Sequence, residues 1–455
     1  MGAFHAYDIR GVYGVDFDAA TAYKVGYFIP ELLHADRVLV GRDCRVSSEE
    51  IHDALVRGIN DAGADVDDIG LSSTPLVYFG TANYGYKASV QITASHNPAK
   101  YNGMKVSREN ALPVGLDTGL GQIKEWIDSG RPTPVAVRRG EVRLLDIRKD
   151  YLAFLSKFKG DYSNLRIAFD LSNGMANLFA KDVFKGENAG YLFDTVDGRF
   201  PNHEPNPLIP ANVEPLRKLV AEMKADVGVI YDGDADRVMF VDEKSRFVAP
   251  DLVIALMSKY FIEERGERNP RVLQEIRSSK AVGEYLSRFG VDLHTWRVGR
   301  AFAAPRLREI DGLWGGELAG HYYFKDFFYS DSGMLASIIV LRIVSALKRE
   351  GKTLGEVIDT MSGYRNSGEI NFRVEDKQGA MDAVRAHFEK AERPDAVMDF
   401  DGYRLEFPKW WFNIRPSNTE PYLRFICEAV SDELLREKIE EASEVIEKEF
   451  GGIRS

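Results

Sequence analysis

The sequence predicts an α/β protein: three topologically similar α/β domains with mixed, mostly parallel sheets, followed by a C-terminal α+β domain. Two observations carry this. A short apolar strand, a polar turn, an amphipathic helix and a second strand recur three times, the pattern of parallel sheets covered on both faces. Each unit is then followed by a polar loop: Thr93-Ala-Ser-His-Asn-Pro98, Asp232-Gly-Asp-Ala-Asp-Arg237 and Gly316-Glu-Leu-Ala-Gly-His321. The length of 455 residues by itself suggests about three domains at roughly 150 residues each. A last segment with a different element order makes a fourth.

The first unit opens with Arg37-Val-Leu-Val40 and ends in Gly41-Arg42-Asp43. Ser47-Ser48-Glu49-Glu50 supplies the small and acidic residues of a helix start, and Gly63 stops that helix. The second unit runs from the strand Leu165–Asp170 through Ser172-Asn173-Gly174 and a helical stretch from Ala176 to a strand at Gly190–Phe193. The third has a strand at Arg271–Ile276, a helix from Ala281 to Phe289 and a strand at Val291–Trp296. The units share little identity, so the repeat is one of topology. The Pro-containing stretch Arg131 to Gly140 breaks the pattern before a helix near Asp150. The charged turn Asp242-Glu-Lys-Ser245 precedes a helix opening at Pro250-Asp251. Domains are therefore expected over 1–148, 149–246, 247–364 and 365–455. The last should contain a strand at Glu369–Val374, a helix at Gly379–Lys390, further strands and a Glu/Lys-rich closing helix at Asp432–Phe450.

Composition narrows the function. Hydrophobic residues make up 44% and charged residues 28%, a balance that folds into globular domains rather than staying disordered. Two cysteines, Cys44 and Cys427, cannot form a disulfide framework and suit a reducing compartment. No basic segment leads into an apolar run at the start. The longest apolar run, Met334 to Leu347, is interrupted by Ser337, Arg342 and Ser345 and is too short to span a bilayer. A cytoplasmic protein without membrane contact is expected. The net charge of −11 argues against nucleic-acid binding, and it repels an anionic ligand unless cations gather locally. Nothing calls for an obligatory protein partner.

The loops carry the chemistry. Asp232, Asp234 and Asp236 follow the apolar strand Val227–Tyr231 at spacing two, so three carboxylates can converge on one hard divalent cation. An EF-hand is excluded because Arg237 stands where that loop needs glycine and strands flank it. An aspartyl-phosphate reading, with Asp232 as nucleophile and Asp234 as acid, stays open on these residues alone. Ser95 sits in a tight loop after the strand Ala88–Ile92, beside His96, with Lys105 downstream in Tyr101-Asn-Gly-Met-Lys105 to meet an anionic group or move a proton. Arg415-Pro-Ser-Asn-Thr-Glu-Pro421 joins a guanidinium to three short hydrogen-bonding side chains between prolines, a composition suited to cradling phosphate. Glu317 and His321, set among glycines, suit sugar hydroxyls.

Each loop alone is ordinary; their order is not. Ser95 with Lys105, the three aspartates with Arg237, Glu317 with His321, and Arg415 with Ser417 and Thr419 follow one another as in the α-D-phosphohexomutase superfamily. The chain resembles its phosphomannomutase/phosphoglucomutase branch, from Tyr7-Asp-Ile-Arg-Gly11 to Arg415-Pro-Ser-Asn-Thr-Glu-Pro421. The resemblance implies four domains around a central cleft. It implies an intramolecular phosphotransferase that interconverts hexose 1-phosphate and hexose 6-phosphate, of mannose and/or glucose. The phosphoryl carrier would be Ser95 as a phosphoserine, so the aspartates would be ligands and not nucleophiles. Asp232, Asp234 and Asp236 would hold Mg²⁺ against the Ser95 phosphate, with Arg237 adding positive charge. A hexose 1,6-bisphosphate would serve as intermediate and activator. Arg415, Ser417, Asn418 and Thr419 would grip the phosphate not being transferred. Glu317 and His321 would hold ring hydroxyls, and Lys105, His96 and Arg10 would give general acid–base help.

Three positions depart from the pattern: Ala319 where the sugar loop usually has serine, Arg300 where many members have histidine, and Arg277 where lysine is common. These changes leave phosphoryl transfer intact and bear on sugar recognition, with Arg277 and Arg300 expected as substrate ligands. Two alternatives accompany the leading reading. One is phosphoglucosamine mutase, whose phosphate loop usually carries glycine where Asn418 stands. The other is a hexose 1,6-bisphosphate synthase.

Overall fold

The structure is a computed structural model that describes residues 2–361, 363–417 and 422–454. Its first sheet has six strands in the spatial order Ile9–Val12, Tyr101–Arg108, Ala88–Ile92, Arg37–Arg42, Asp65–Leu71 and Val142–Leu144. The second has five, in the order Phe247–Val248, Val238–Asp242, Val227–Tyr231, Arg166–Asp170 and Asn188–Leu192. The third also has five: Asp292–Trp296, Arg271–Glu275, Trp314–Gly316, Tyr322–Phe324 and Ser330–Asp331.

Each of these sheets has a parallel part joined to an antiparallel part. In the first, Ala88–Ile92 runs parallel to Arg37–Arg42 and antiparallel to Tyr101–Arg108. In the second, Val227–Tyr231 stands in the same position between Arg166–Asp170 and Val238–Asp242. In the third it is Trp314–Gly316, between Arg271–Glu275 and Tyr322–Phe324. The chain reverses where the parallel part ends, and each reversal is one of the polar loops singled out above. Ser95, Asp232–Asp236 and Glu317 thus occupy one topological position in three sheets, beyond the carboxyl end of a strand. Parallel α/β sheets concentrate ligand-binding groups there.

Most elements lie where the sequence places them. The stretch from Ala176 forms only a 3₁₀ turn, Met175–Leu178, and a four-residue helix, Ala180–Val183. Gly186, at φ +84°, follows at once, in the left-handed backbone region that suits a helix end.

The apolar run from Met334 becomes the helix Gly333–Arg349, of which thirteen residues are buried. It contacts the strands Val227–Tyr231 and Val238–Asp242, so the second and third sheets share one core. The Tyr162 hydroxyl donates to the Ile338 carbonyl, and Tyr231 Oη pairs with Ser337 Oγ. Among the described residues no helix is long and apolar enough to cross a membrane. The first domain joins that shared core through Leu39, Ile69, Leu76 and Phe79, and has a second core of its own.

The C-terminal sheet is antiparallel, in the order Ala396–Met398, Tyr403–Glu406, Trp410–Pro416, Leu423–Ala429, Ile370–Arg373 and Ile453–Arg454, with Arg365–Asn366 also pairing to Leu423–Ala429. The helices Lys377–Ala391 and Asp432–Phe450 cover it. It docks on the third sheet through buried Arg404, whose Nη1 donates to the carbonyls of Ile276 and Ser278. Ser279 Oγ donates to Glu428, and Lys280 Nζ to the Phe407 carbonyl.

Candidate active site

Ser95 is fully buried and adopts φ +51°, a left-handed conformation uncommon for a residue with a Cβ. Its N–H donates to Thr93 Oγ1 at 2.9 Å. Its hydroxyl donates to Asp232 Oδ2 at 2.8 Å and lies 3.3 Å from His96 Nδ1. The serine loop of the first domain and the aspartate loop of the second therefore meet at one oxygen.

Asp232, Asp234 and Asp236 are all fully buried, and each offers an oxygen within 4.8 Å of the others. Lys105 Nζ donates to Asp234 Oδ2 at 2.7 Å and to Asp236 Oδ2 at 2.5 Å. Thr74 fastens the loop from the first domain: its Oγ1 donates to Asp234 Oδ2 and its N–H to the Asp234 carbonyl. Asp234 Oδ1 and Asp236 Oδ1 are buried without a hydrogen-bond partner among the described residues. Burial, then the charges of Asp234 and Asp236, hold the Asp232 carboxyl well above the usual range. For Asp236 burial acts in the same sense, but neighbouring positive charge, that of Lys105 foremost, outweighs it and the group lies below that range. Oxygen donors, two orphaned buried carboxylate atoms and mutual repulsion fit a hard divalent cation. One partner accounts for all three.

Arg237 sits beside this cluster, 3.9 Å from both Asp232 and Asp236, and its Nε donates to His321 Nε2 at 2.9 Å. A β-bridge between Arg237 and His321 joins the aspartate loop to the sugar loop. His321 Nδ1 then faces Asp331 Oδ2 at 2.6 Å. Since Nε2 accepts, Nδ1 carries the proton, and Asp331 holds the ring in that tautomer. Glu317 is buried beside it and accepts from Tyr323 Oη at 2.5 Å; burial raises its proton affinity.

Arg10, on the edge strand Ile9–Val12, donates to Asn97 Oδ1 at 2.8 Å and pairs with Asp8. It meets the serine loop at Asn97, close enough to Asp234 and Asp236 that, against the effect of burial, their charges, after that of Asp8, raise its proton affinity. Burial, then the charges of Arg237, Arg10 and Lys105, drive His96 well below the usual imidazole range.

Arg415 comes from the C-terminal sheet and is only 4% exposed. Its Nε and Nη1 have no hydrogen-bond partner among the described residues, although Asp401 lies 3.7 Å from Nη1. Burial first, and then the nearby Arg277 charge, pull it below the usual guanidinium range. An anion there would answer both the unused donors and the cationic crowding. Ser417 N donates to the Tyr422 carbonyl at 2.9 Å. Asn418 and Thr419 lie outside the described residues.

Arg277 and Arg300 are placed in ties between domains. Arg277 pairs with Glu275 at 2.8 Å and with Glu369 of the C-terminal domain at 2.7 Å. Glu275 also accepts from Leu318 N in the sugar loop. Arg300 pairs with Asp331 at 3.0 Å, donates to the Ala111 carbonyl of the first domain at 2.7 Å and stacks 3.7 Å above the Tyr78 ring. It stands behind His321, one carboxylate away.

Three residues at the site escape a reading of motifs: Thr74, Asp331 and Arg45. Thr74 and Asp331 carry no local signal. Arg45 belongs to Asp43-Cys44-Arg45, directly after the strand Arg37–Arg42, and a buried acid–base pair at a strand's carboxyl end is a readable sign.

Models of the phosphoglucomutase/phosphomannomutase α/β/α domains I, II and III match residues 1–132, 149–245 and 249–364, and the family's C-terminal domain matches 369–445. A phosphomannomutase of Salmonella typhimurium is 37% identical over 95% of this chain and 96% of its own. The chain belongs to the phosphoglucomutase/phosphomannomutase family, within the α-D-phosphohexomutase superfamily. It is a phosphohexomutase, an isomerase of carbohydrate metabolism. A phosphomannomutase of Methanocaldococcus jannaschii is 34% identical over 98% of this chain and 97% of its own. The crystal structure of a family protein from Burkholderia thailandensis superimposes with a TM-score of 0.86 at 26% identity, covering 98% of this chain and 97% of that one.

Proposed function

We propose that this phosphohexomutase interconverts the 1- and 6-phosphates of mannose and/or glucose through a phosphoserine at Ser95 and a hexose 1,6-bisphosphate. The observation that carries the reading is the meeting of Ser95 Oγ with Asp232 inside a buried cluster of three carboxylates. The phosphomannomutase names of its relatives support mannose among the substrates.

Asp232, Asp234, Asp236 and the Ser95 oxygen would hold Mg²⁺, which, when bound, supplies positive charge to the phosphoryl group in flight. The residues do the rest. In the forward half the bond from phosphorus to Ser95 Oγ breaks and a bond to the free sugar hydroxyl forms. His96, 3.3 Å from the serine oxygen, Lys105 on the aspartates and Arg10 on Asn97 would be the acid–base and charge-compensating groups, and the hydroxyl proton is passed to this set. Arg237 adds a cation on the sugar side, Glu317 takes ring hydroxyls, and His321 would take one at Nε2 in exchange for its contact with Arg237. Arg415, with Ser417, Asn418 and Thr419, grips the phosphate that stays. After the bisphosphate reverses end for end, its other phosphate returns to Ser95 and the product leaves. Free thiols at Cys44 and Cys427 suit a reducing cytoplasm.

Intact-mass measurement of the purified protein should find a phosphate adduct that is absent from Ser95→Ala. That variant should lose interconversion of mannose and glucose phosphates assayed side by side while still binding them. Near-normal turnover by Ser95→Ala would overturn the proposal.

A further inference from the structure

We infer that Arg45 is a positioning residue for Ser95: its guanidinium gathers the backbone carbonyls of the serine loop and so fixes the left-handed serine against the aspartate cluster. The inference rests on the reading of Ser95 as phosphoryl carrier.

Arg45 is 2% exposed, yet it touches neither the carboxylate cluster nor the sugar loop. All five of its N–H donors are used within the protein. Nε donates to Asp43 Oδ2 at 3.1 Å. Nη1 donates to the carbonyls of Pro98 at 2.8 Å and Tyr101 at 3.0 Å. Nη2 donates to the carbonyls of Ser95 at 2.8 Å and Asn97 at 2.6 Å. Four carbonyl oxygens turned toward one buried point repel each other unless a cation sits among them. A planar fork with five fixed donors meets that demand, and an ammonium with three donors on one atom does not.

The fork is itself fixed. Asp43 Oδ1 accepts from Arg45 N at 3.0 Å and from Ser48 Oγ at 2.6 Å. Asn102 Nδ2, from the strand that also carries Lys105, donates to Ser47 and Ser48. Phe200 of the second domain closes the outer face, its ring centroid 5.0 Å from the Arg45 guanidinium carbon. Arg45 thus holds the serine loop through its backbone carbonyls, whereas Asp232 meets it through the Ser95 hydroxyl. The Ser95 carbonyl is bound by Arg45 while its hydroxyl points to Asp232, and residue 95 is held between them at φ +51°.

Four variants test this: Arg45→Lys, Arg45→Ala, Asp43→Asn and Ser95→Ala. Arg45→Lys should fold, by circular dichroism and thermal melting, and lose about 100-fold in kcat, the scale of a misplacement near 1 Å. KM for hexose 1-phosphate should stay within about threefold, because no substrate contact is removed. Asp43→Asn, close in size to the natural residue, should lower kcat in the same selective way to a smaller extent. In Arg45→Ala, added guanidinium ion should restore part of kcat where equal ammonium does not. Wild-type kcat per folded molecule in Arg45→Lys, with Ser95→Ala inactive, would overturn the inference. If Arg45→Lys fails to fold, Asp43→Asn decides: a selective loss of kcat supports the inference and an unchanged kcat overturns it. Turnover by Ser95→Ala would instead remove the reading beneath it.

Discussion

Gly233 lies between two of the aspartates, and a methyl group added there tests how closely the serine and aspartate loops must approach. A Cβ at residue 233 would stand 2.5 Å from the Ser95 carbonyl oxygen and 3.3 Å from Pro205 Cβ and Cγ. Ordinary contact begins at 3.4 Å, so the loops must part by about 0.9 Å, a displacement that overpacking penalises. Neither side yields easily. The Ser95 carbonyl is held by Arg45 at 2.8 Å, and the Gly233 carbonyl accepts from Met175 N at 2.8 Å. Gly233 has no positive φ, so alanine suits the backbone there and only the approach is perturbed. Overpacking of this kind costs about 1–3 kcal/mol of stability. Parting the loops by 0.9 Å from the present 2.8 Å carries Ser95 Oγ out of hydrogen-bond reach of Asp232. A misplacement of that size costs on the order of 100-fold in rate. Gly233→Ala should therefore remain folded, melt a few degrees lower and lose about two decades of kcat in a coupled assay of mannose 1-phosphate conversion. A kcat within twofold of wild type would show that the loop-to-loop distance does not set the rate, and the reasoning would fail.

Asp331→Asn should free His321 from its Nδ1–H tautomer and leave Arg300 facing a neutral amide; kcat/KM should fall about 10- to 100-fold, and an unchanged value would remove Asp331 from the site's support. Arg415→Ala should weaken 1- and 6-phosphates alike in an equilibrium binding assay, and a loss confined to one of them would contradict a residue that grips whichever phosphate is idle. His203 predicts a pH dependence. Burial lowers its proton affinity, but hydrogen bonding and charge from Asp170, with the Glu204 carbonyl, outweigh this and raise it above the usual value. A raised imidazole stabilises the fold fully below its unfolded pKa, about 6.5, and loses that contribution as pH climbs through the folded value. Thermal melts should therefore show a decline on the alkaline side that His203→Gln abolishes; the same slope in the variant would exclude His203 as its source.

The three α/β units were legible because hydrophobic periodicity and turn residues are local quantities. The strands at Ala88–Ile92 and Val227–Tyr231 and the helix Asp432–Phe450 fall where pattern puts them. The short helix at Ala180–Val183 was not: the apolar stretch from Ala176 breaks into a 3₁₀ turn and one helical turn before the chain bends at Gly186. The loop residues with chemical side chains were also visible, because reactive groups in a polar loop announce themselves. Thr74 was invisible for the opposite reason: it is the start of an ordinary helix, and only the tertiary fold brings its hydroxyl to Asp234.

Arg277, Arg300 and Arg415 look alike in a sequence, and the fold separates them by what their donors already hold. Arg277 is neutralised by Glu275 and Glu369, and Arg300 by Asp331. Arg415 keeps Nε and Nη1 without a hydrogen-bond partner among the described residues, next to another cation and away from solvent. A guanidinium in that state is costly unless an anion completes it. The same logic reconciles the net charge of −11 with an anionic substrate. Surface charge is screened within about 8–10 Å at physiological salt, whereas unpaired cations in a buried site act at close range and low dielectric. On the proposed function, the phosphate would therefore be met not by the count of arginines but by donors such as Arg415 Nε and Nη1, which stay unpaired among the described residues.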